Sequence, residues 1–131
     1  MFLDASALTA MLVDERDARE LLVRMQNYTR RITSPLAVWE ASVAVARILG
    51  LEIEAAEAAV EEFLALTRVS VEPVPAEVRG LALSAFARFG KARHPAALNF
   101  GDCFAYACAK KMGVPLLYKG DDFPQTDMEA A

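Results

Sequence analysis

The sequence predicts an α/β fold in which a parallel sheet lies between two layers of helices, and three observations predict it. Short apolar runs at residues 1–4, 31–34, 69–71 and 114–118 have the length of strands. The segments between them carry apolar residues at helical spacing and are too long for hairpin loops. Strands joined through helices favour right-handed crossovers and parallel pairing, with both faces of the sheet covered.

Each element follows from local signals. Residues 1–4 (MFLD) form a very short first strand, and residues 6–13 and 14–28 are helical. Residues 31–34 (RITS) form the second strand, after which Ser34-Pro35 supplies an N-cap followed by proline at the first helical position. That helix continues through Val43, Ile48 and Leu49 to a stop at Gly50 and carries Glu40 about a turn inside. Residues 53–66 make a helix with Glu54, Glu57, Glu61 and Glu62 on its outer face, and Val69, Ser70 and Val71 make the third strand. Pro75 opens a helix reaching Phe89, residues 90–98 form a loop, and Asn99 caps a helix over 100–112 that stops at Gly113. A buried strand over 114–118 then leads to Gly120-Asp121-Asp122.

The 131 residues fit one domain, 1–131, with no repeat or low-complexity tract. Apolar residues make up 55% of the chain, more than one small core consumes, so a homodimer or a permanent partner is expected to cover the excess. The longest stretch without charge is nine residues, 5–13, against the roughly 20 that span a bilayer. Asp4 interrupts any secretory signal, which predicts a cytoplasmic protein without membrane contact. Cys103 and Cys108 match neither a redox pair nor zinc spacing and read as buried thiols. A net charge of -4 argues against binding nucleic acid through a general positive field and leaves room only for a local basic cluster.

Ligand sites in open parallel sheets lie beyond the carboxyl ends of the strands. Asp4 ends the first strand, Asp121 and Asp122 follow the last, Asp102 occupies the first turn of a helix, and Glu40 lies early in another. Converging carboxylates repel one another unless a hard divalent cation holds them ionised, so the pattern implies Mg²⁺ or Mn²⁺ and water activation at a phosphodiester. Each acid also has a plainer reading. Asp4 serves equally as a helix cap, Asp102 as half of a capping box with Asn99, Glu40 as a solvated helix side chain, and Asp121-Asp122 as a turn. The conjunction of the four points to chemistry.

Two stretches carry a family resemblance. Residues 90–127, GKARHPAALNFGDCFAYACAKKMGVPLLYKGDDFPQTD, resemble the C-terminal signature of VapC-type PIN domains, and residues 3–8, LDASAL, resemble their opening. The middle, 49–89, matches in helical character alone. The resemblance implies a PIN-like helix/sheet/helix sandwich and a Mg²⁺-dependent endoribonuclease, the toxin of a type II toxin-antitoxin pair with a VapB-like antitoxin. It puts Asp4, Glu40, Asp102 and Asp122 at the family's acidic positions, with Asp4 and Asp102 as direct metal ligands and Ser6 and Asn99 as polar support. Asp121 competes with Asp122 for the fourth position, and Asp127 is either an outer-shell partner or a C-terminal cap. Products would carry 5′-phosphate and 3′-hydroxyl ends.

Arg88, Lys91 and Arg93 precede the Asp102 helix and are the candidate RNA contacts, and Lys119, beside the last strand, could join them. Lys110 and Lys111 read as cations opposing a helix dipole, and His94, before Pro95, as a loop residue. A receiver domain is disfavoured because the third strand ends in Glu72-Pro73 and Lys119 precedes glycine, and a DxD phosphatase is disfavoured because Asp4-Ala5-Ser6 lacks the second acid. The remaining alternative is an inactive PIN-fold module that binds an antitoxin or RNA. Such a module would be expected to lack one of the acids, and all are present.

Overall fold

A computed structural model describes all of residues 1–131. In chain order the elements are β1 (Phe2–Leu3), α1 (Ala5–Leu12), α2 (Ala18–Gln26), β2 (Arg31–Thr33), α3 (Pro35–Leu49), α4 (Ile53–Thr67), β3 (Val69–Val71), α5 (Val78–Phe89), α6 (Phe100–Met112) and β4 (Leu116–Leu117), followed by a short 3-10 turn, Phe123–Gln125. The four strands form one sheet in the order β3-β2-β1-β4, and every pairing is parallel.

Alternation along the strands sends side chains to two separate apolar layers. Leu3, Leu117 and Val69 pack with α1 to α4, whereas Phe2, Ile32 and Leu116 pack with α5 and α6. The predicted sandwich of helices, sheet and helices is therefore the observed one. Thr33, fully buried in the sheet, donates its hydroxyl to the Leu3 carbonyl at 2.8 Å and satisfies a polar group that the core would otherwise strand.

Three boundaries differ from the sequence reading. The second helix begins at Ala18, not Asp14, because Asp14 adopts φ 54 and residues 14–17 turn the chain before the helix can start. Residues 75–77 form a turn and α5 starts at Val78, whose amide bonds the Pro75 carbonyl at 3.1 Å. The last strand spans two residues where five were expected. The Val114 amide is taken by the Ala109 carbonyl at the end of α6, and Pro115 has no N–H to offer the ladder. Beyond the strand, the Lys119 amide turns to the Ser6 hydroxyl. Gly50 and Gly113, at φ 64 and 62, end α3 and α6 in the left-handed conformation that the sequence anticipates there.

The chain runs outward from β1 through β2 to β3 and then crosses back to lay β4 on the other side of β1, so the strand order reverses there and a crevice opens at the carboxyl end of β1. The free edge of β4 is covered by the chain's last residues, since the Leu116 amide bonds the Glu129 carbonyl and the Ala131 amide bonds the Leu116 carbonyl, both at 2.9 Å. Arg24 of α2 holds the Ala131 carbonyl oxygen.

Apolar side chains remain outside the core in two places. Between α5 and α6 a groove of about 420 Å³ is lined by Ala82, Leu83, Phe86, Phe100, Cys103 and Phe104 with Arg79 at its side. Between α3 and α4 a groove of about 700 Å³ includes Val38, Trp39, Val43 and Ile53 with Glu57 and Glu61. Trp39 and Phe100 are each 67% exposed. No helix is long and apolar enough to cross a membrane. Cys103 and Cys108 are buried free thiols, pushed up to about 11 by burial first, with Asp102 adding to the shift at Cys103.

Candidate active site

The crevice at the end of β1 is a cleft of about 390 Å³ in which Asp4, Glu40, Asp102 and Asp122 meet, together with Ser6 and Asn99. Four elements deliver the acids. Asp4 stands where β1 becomes α1, and its carboxylate caps that helix by accepting the Ser6 amide at 3.0 Å and the Ser6 hydroxyl. The Ser6 oxygen in turn accepts the Lys119 amide at 3.0 Å, and the Asp4 amide donates to the Leu117 carbonyl at 2.9 Å. Asp4 is thus tied to both ends of the molecule and is only 4% exposed.

Asp102 is the third residue of α6 and completes a reciprocal cap. Its carboxylate accepts the Asn99 amide at 2.9 Å, while its own amide donates to the Asn99 side chain at 3.0 Å. One Asp102 oxygen, Oδ2, is used in this way, which leaves the other without a hydrogen-bond partner. Glu40, half-buried on α3, lies against Gly101, and an added Cβ there would overlap its carboxylate. Asp122 precedes the 3-10 turn and reaches the cleft from the exposed side. The plainer readings of Asp4 and Asp102 as helix caps are therefore correct, and the caps themselves aim both carboxylates into the cleft.

Burial is the main electrostatic influence, and mutual repulsion adds to it. Glu40 is pushed up to about 7 by desolvation, then by Asp4 and Asp102. Asp102 is pushed up to about 6 by desolvation, against the Asn99 hydrogen bond, with Asp4 and Asp122 raising it further. Burial also raises Asp4, although its bonds to Ser6 and Ala5 pull the other way. No group of three or more Asp, Glu, His or Cys side chains is placed to hold one ion between them. The donors are oxygens only, and Mg²⁺ takes one or two carboxylates and keeps its waters, so this open arrangement fits that class of ion. A divalent charge would also relieve the repulsion that raises these carboxyls.

The other predicted residues lie elsewhere. Asp121 faces a neighbouring pocket with Asp17, Glu20 and Arg24, so of the doubled acids it is Asp122 that enters the cleft. Asp127 is not in the cleft; it accepts the Tyr106 hydroxyl at 2.6 Å and pairs with Arg88 at 3.4 Å and Lys110 at 3.6 Å. That network fastens the segment after β4 to α6, which corrects its reading as an outer-shell partner. Arg88 also stacks over Phe89 at 4.5 Å, Arg93 lies over Phe86 at 5.4 Å, and Lys91 is exposed on its loop. None of the three lines the cleft. Lys111 pairs with Glu77 at 3.3 Å. His94 accepts the Ala96 amide at 3.1 Å and meets the Phe89 ring, as befits a loop residue.

Glu15, Arg47 and Lys119 also line the cleft; of the three, only Lys119 is offered by the sequence as a phosphate contact beside the acids. Arg47 was detectable, because Glu40, Ala44, Arg47 and Ile48 follow the i, i+4, i+7, i+8 spacing of one helix face. Glu15 had no such signal, since it belongs to the turn after α1.

Comparison with known proteins agrees with this fold. The profile of a family described as "PIN domain" matches residues 1–128. A VapC ribonuclease of Rhizobium meliloti is 39% identical over 97% of this chain and 98% of its own length. Ribonuclease VapC30 of Mycobacterium tuberculosis is 37% identical over 98% and 95%, and a ribonuclease VapC of Mycolicibacterium smegmatis is 38% identical over 99% and 98%. The crystal structure of Mycobacterium tuberculosis VapC20, a sarcin-ricin loop cleaving toxin, superposes with a TM-score of 0.78 at 20% identity, covering 99% of this chain and 97% of that one.

Proposed function

The chain belongs to the PIN-domain family and, within it, to the VapC ribonucleases, and from that premise we propose that it is a Mg²⁺-dependent endoribonuclease working at the acidic cleft. It is a toxin-type ribonuclease. The observation that carries the site assignment is the convergence of Asp4, Glu40, Asp102 and Asp122 on one cleft at the carboxyl end of β1.

Asp4 and Asp102 are the proposed direct ligands: both are oriented by hydrogen bonds to neighbouring groups, and Asp102 has an oxygen to spare. Glu40 and Asp122 complete the acidic ring, where they orient water and accept protons. Mg²⁺ held by these residues would supply Lewis acidity for the attack of water on the phosphodiester. The Ser6 hydroxyl and the Asn99 backbone amide fix the rotamers of Asp4 and Asp102, the supporting part that ligating carboxylates require. Glu40, at about 7 without metal, is suited to exchange protons near neutral pH. Attack by water with the P–O3′ bond breaking, as the family resemblance implies, leaves a 5′-phosphate on one product and a 3′-hydroxyl on the other.

The partner we propose, besides RNA, is a VapB-like antitoxin. The groove between α3 and α4 is apolar with glutamates among its lining residues, which suits an amphipathic helix carrying basic side chains. Self-pairing of that groove would bring Glu57 and Glu61 against their own copies, so a homodimer is better served by the α5–α6 face. Two apolar layers sharing one sheet support residues 1–131 as a single domain. The substrate class places its work in the cytoplasm. A purified chain that stays monomeric and binds no small antitoxin-like protein encoded beside it contradicts the partner assignment.

The decisive experiment incubates the protein with a mixed RNA pool in Mg²⁺, in EDTA, and as Asp4→Asn, and maps fragment ends. Discrete cuts with 5′-phosphates, lost in EDTA and reduced at least about 100-fold by the substitution, are expected. Absence of cutting together with absence of calorimetric Mg²⁺ binding would replace this reading with the inactive binding module.

A further inference from the structure

We propose that Arg47 and Lys119 hold the RNA backbone at the acidic cleft. The inference rests on the ribonuclease reading of the same cleft and adds the groups that bring a polyanion to it. Single-stranded RNA is gripped through phosphates by cations, and this protein's net charge of -4 offers no general attraction. The cleft adds a local obstacle, because Glu15 joins Asp4, Glu40, Asp102 and Asp122 along its walls.

Only two cations line that cleft, and they come from separate elements: Arg47 from the last turn of α3, Lys119 from the segment after β4. Arg47 is exposed and makes no ion pair, so its planar fork is free to take a phosphate through two parallel hydrogen bonds. Its position near the C-terminus of α3 also favours the helix dipole, which accounts for a cation there. The dipole does not account for a side chain that shares the cleft wall with Glu40.

Lys119 is held at two points. Its amide donates to Ser6, the residue that orients Asp4, and its ammonium pairs with Glu15. Glu15 is thereby a positioning residue that keeps the ammonium at the cleft in the absence of RNA, and a phosphate would take its place as partner. The basic loop residues are less suited: Arg88 is engaged with Asp127, Arg93 with the Phe86 ring, and neither they nor Lys91 line the cleft.

The test measures binding of a fluorescein-labelled, mixed-sequence single-stranded RNA by anisotropy as a function of salt, in Mg²⁺, with Asp4→Asn in the background to prevent cutting. Arg47→Ala and Lys119→Ala are each expected to weaken binding about tenfold. Each should also lower the slope of log affinity against log salt by about 0.7, the loss of one phosphate contact. Without the Asp4 substitution, the same changes should raise KM while kcat stays within about threefold. Lys119→Arg should restore binding, Arg47→Lys should restore it in part, and Lys91→Ala with Arg93→Ala should leave it unchanged.

Binding and KM unaltered by Arg47→Ala and Lys119→Ala overturn the proposal, as does a loss confined to the Lys91 and Arg93 variant. A fall in kcat at constant KM overturns it too, since the residues would then act on the chemical step. An otherwise unsubstituted protein that cuts RNA while these variants bind normally removes this proposal alone. One that neither cuts nor binds any RNA removes the ribonuclease reading as well.

Discussion

Glu40 links protonation to stability. Its folded carboxyl titrates at about 7 instead of near 4.5, so the folded state binds more protons than the unfolded state across that interval. Stability in the absence of metal therefore falls as pH rises through the interval, and Asp102, at about 6, acts in the same direction. At pH 8 without metal, Glu40→Gln is expected to raise stability by about 1 kcal/mol, roughly 3 °C in Tm, after allowance for its half-exposed position. Calorimetric melting at pH 8 and pH 5 checks this, and the gain should vanish at the lower pH. Added Mg²⁺ should raise the wild-type Tm more at pH 8 than at pH 6, because ligand carboxylates must lose their protons to bind it. Ser6→Ala removes the bridge between Lys119 and Asp4 and should reduce cleavage about 10- to 100-fold, read as kcat on a fixed RNA. The acids themselves were visible in the sequence because strand ends and helix starts are marked by local residue types. Glu15 was not, since its place depends on how a turn folds back over a strand end more than one hundred positions away in sequence.

At the scale of elements, α6 meets α3 through a glycine. Gly101 follows Phe100 in the first turn of α6, and the space its side chain would fill is occupied by the Glu40 carboxylate. Gly101→Ala should leave the melting temperature unchanged or slightly higher, since alanine is the better helix former, yet displace Glu40 and lower cleavage about tenfold. A variant that loses stability and activity together would contradict this separation. Asp127 gives the converse case. Its bonds to Tyr106, Arg88 and Lys110 fasten the last segment to α6 away from the cleft, so Asp127→Asn should cost about 1 kcal/mol in denaturant unfolding and leave kcat unchanged. Sequence reading placed the long helices α3, α4 and α6 closely because caps and glycine stops are local. It misjudged β4, whose two ladder residues are set by where the amides of Val114 and Lys119 find partners. It left Asp127 open between the site and a cap, because proximity in sequence to an acidic motif says nothing about which side of a helix the returning chain takes.

For the whole molecule, the apolar excess read from composition became two exposed grooves on opposite layers, and only the side chains around them distinguish one from the other. Composition counts apolar residues but does not say that glutamates accompany one groove and a lone arginine the other. The strand order carries a further consequence. β1 is translated more than one hundred residues before β4, yet Asp4 is fixed by the Leu117 carbonyl and, through Ser6, by the Lys119 amide. Pairing across such a separation closes a long loop and is slow to form. A chain stopped before Leu116 would contain three of the four acids without β1's partner on that side, and is expected to release slow-exchanging amides around Phe2 and Asp4 in hydrogen-exchange measurements and to cut no RNA. A nascent chain on the ribosome passes through this state, so the four acids are not gathered into one cleft until the ribosome has moved past β4.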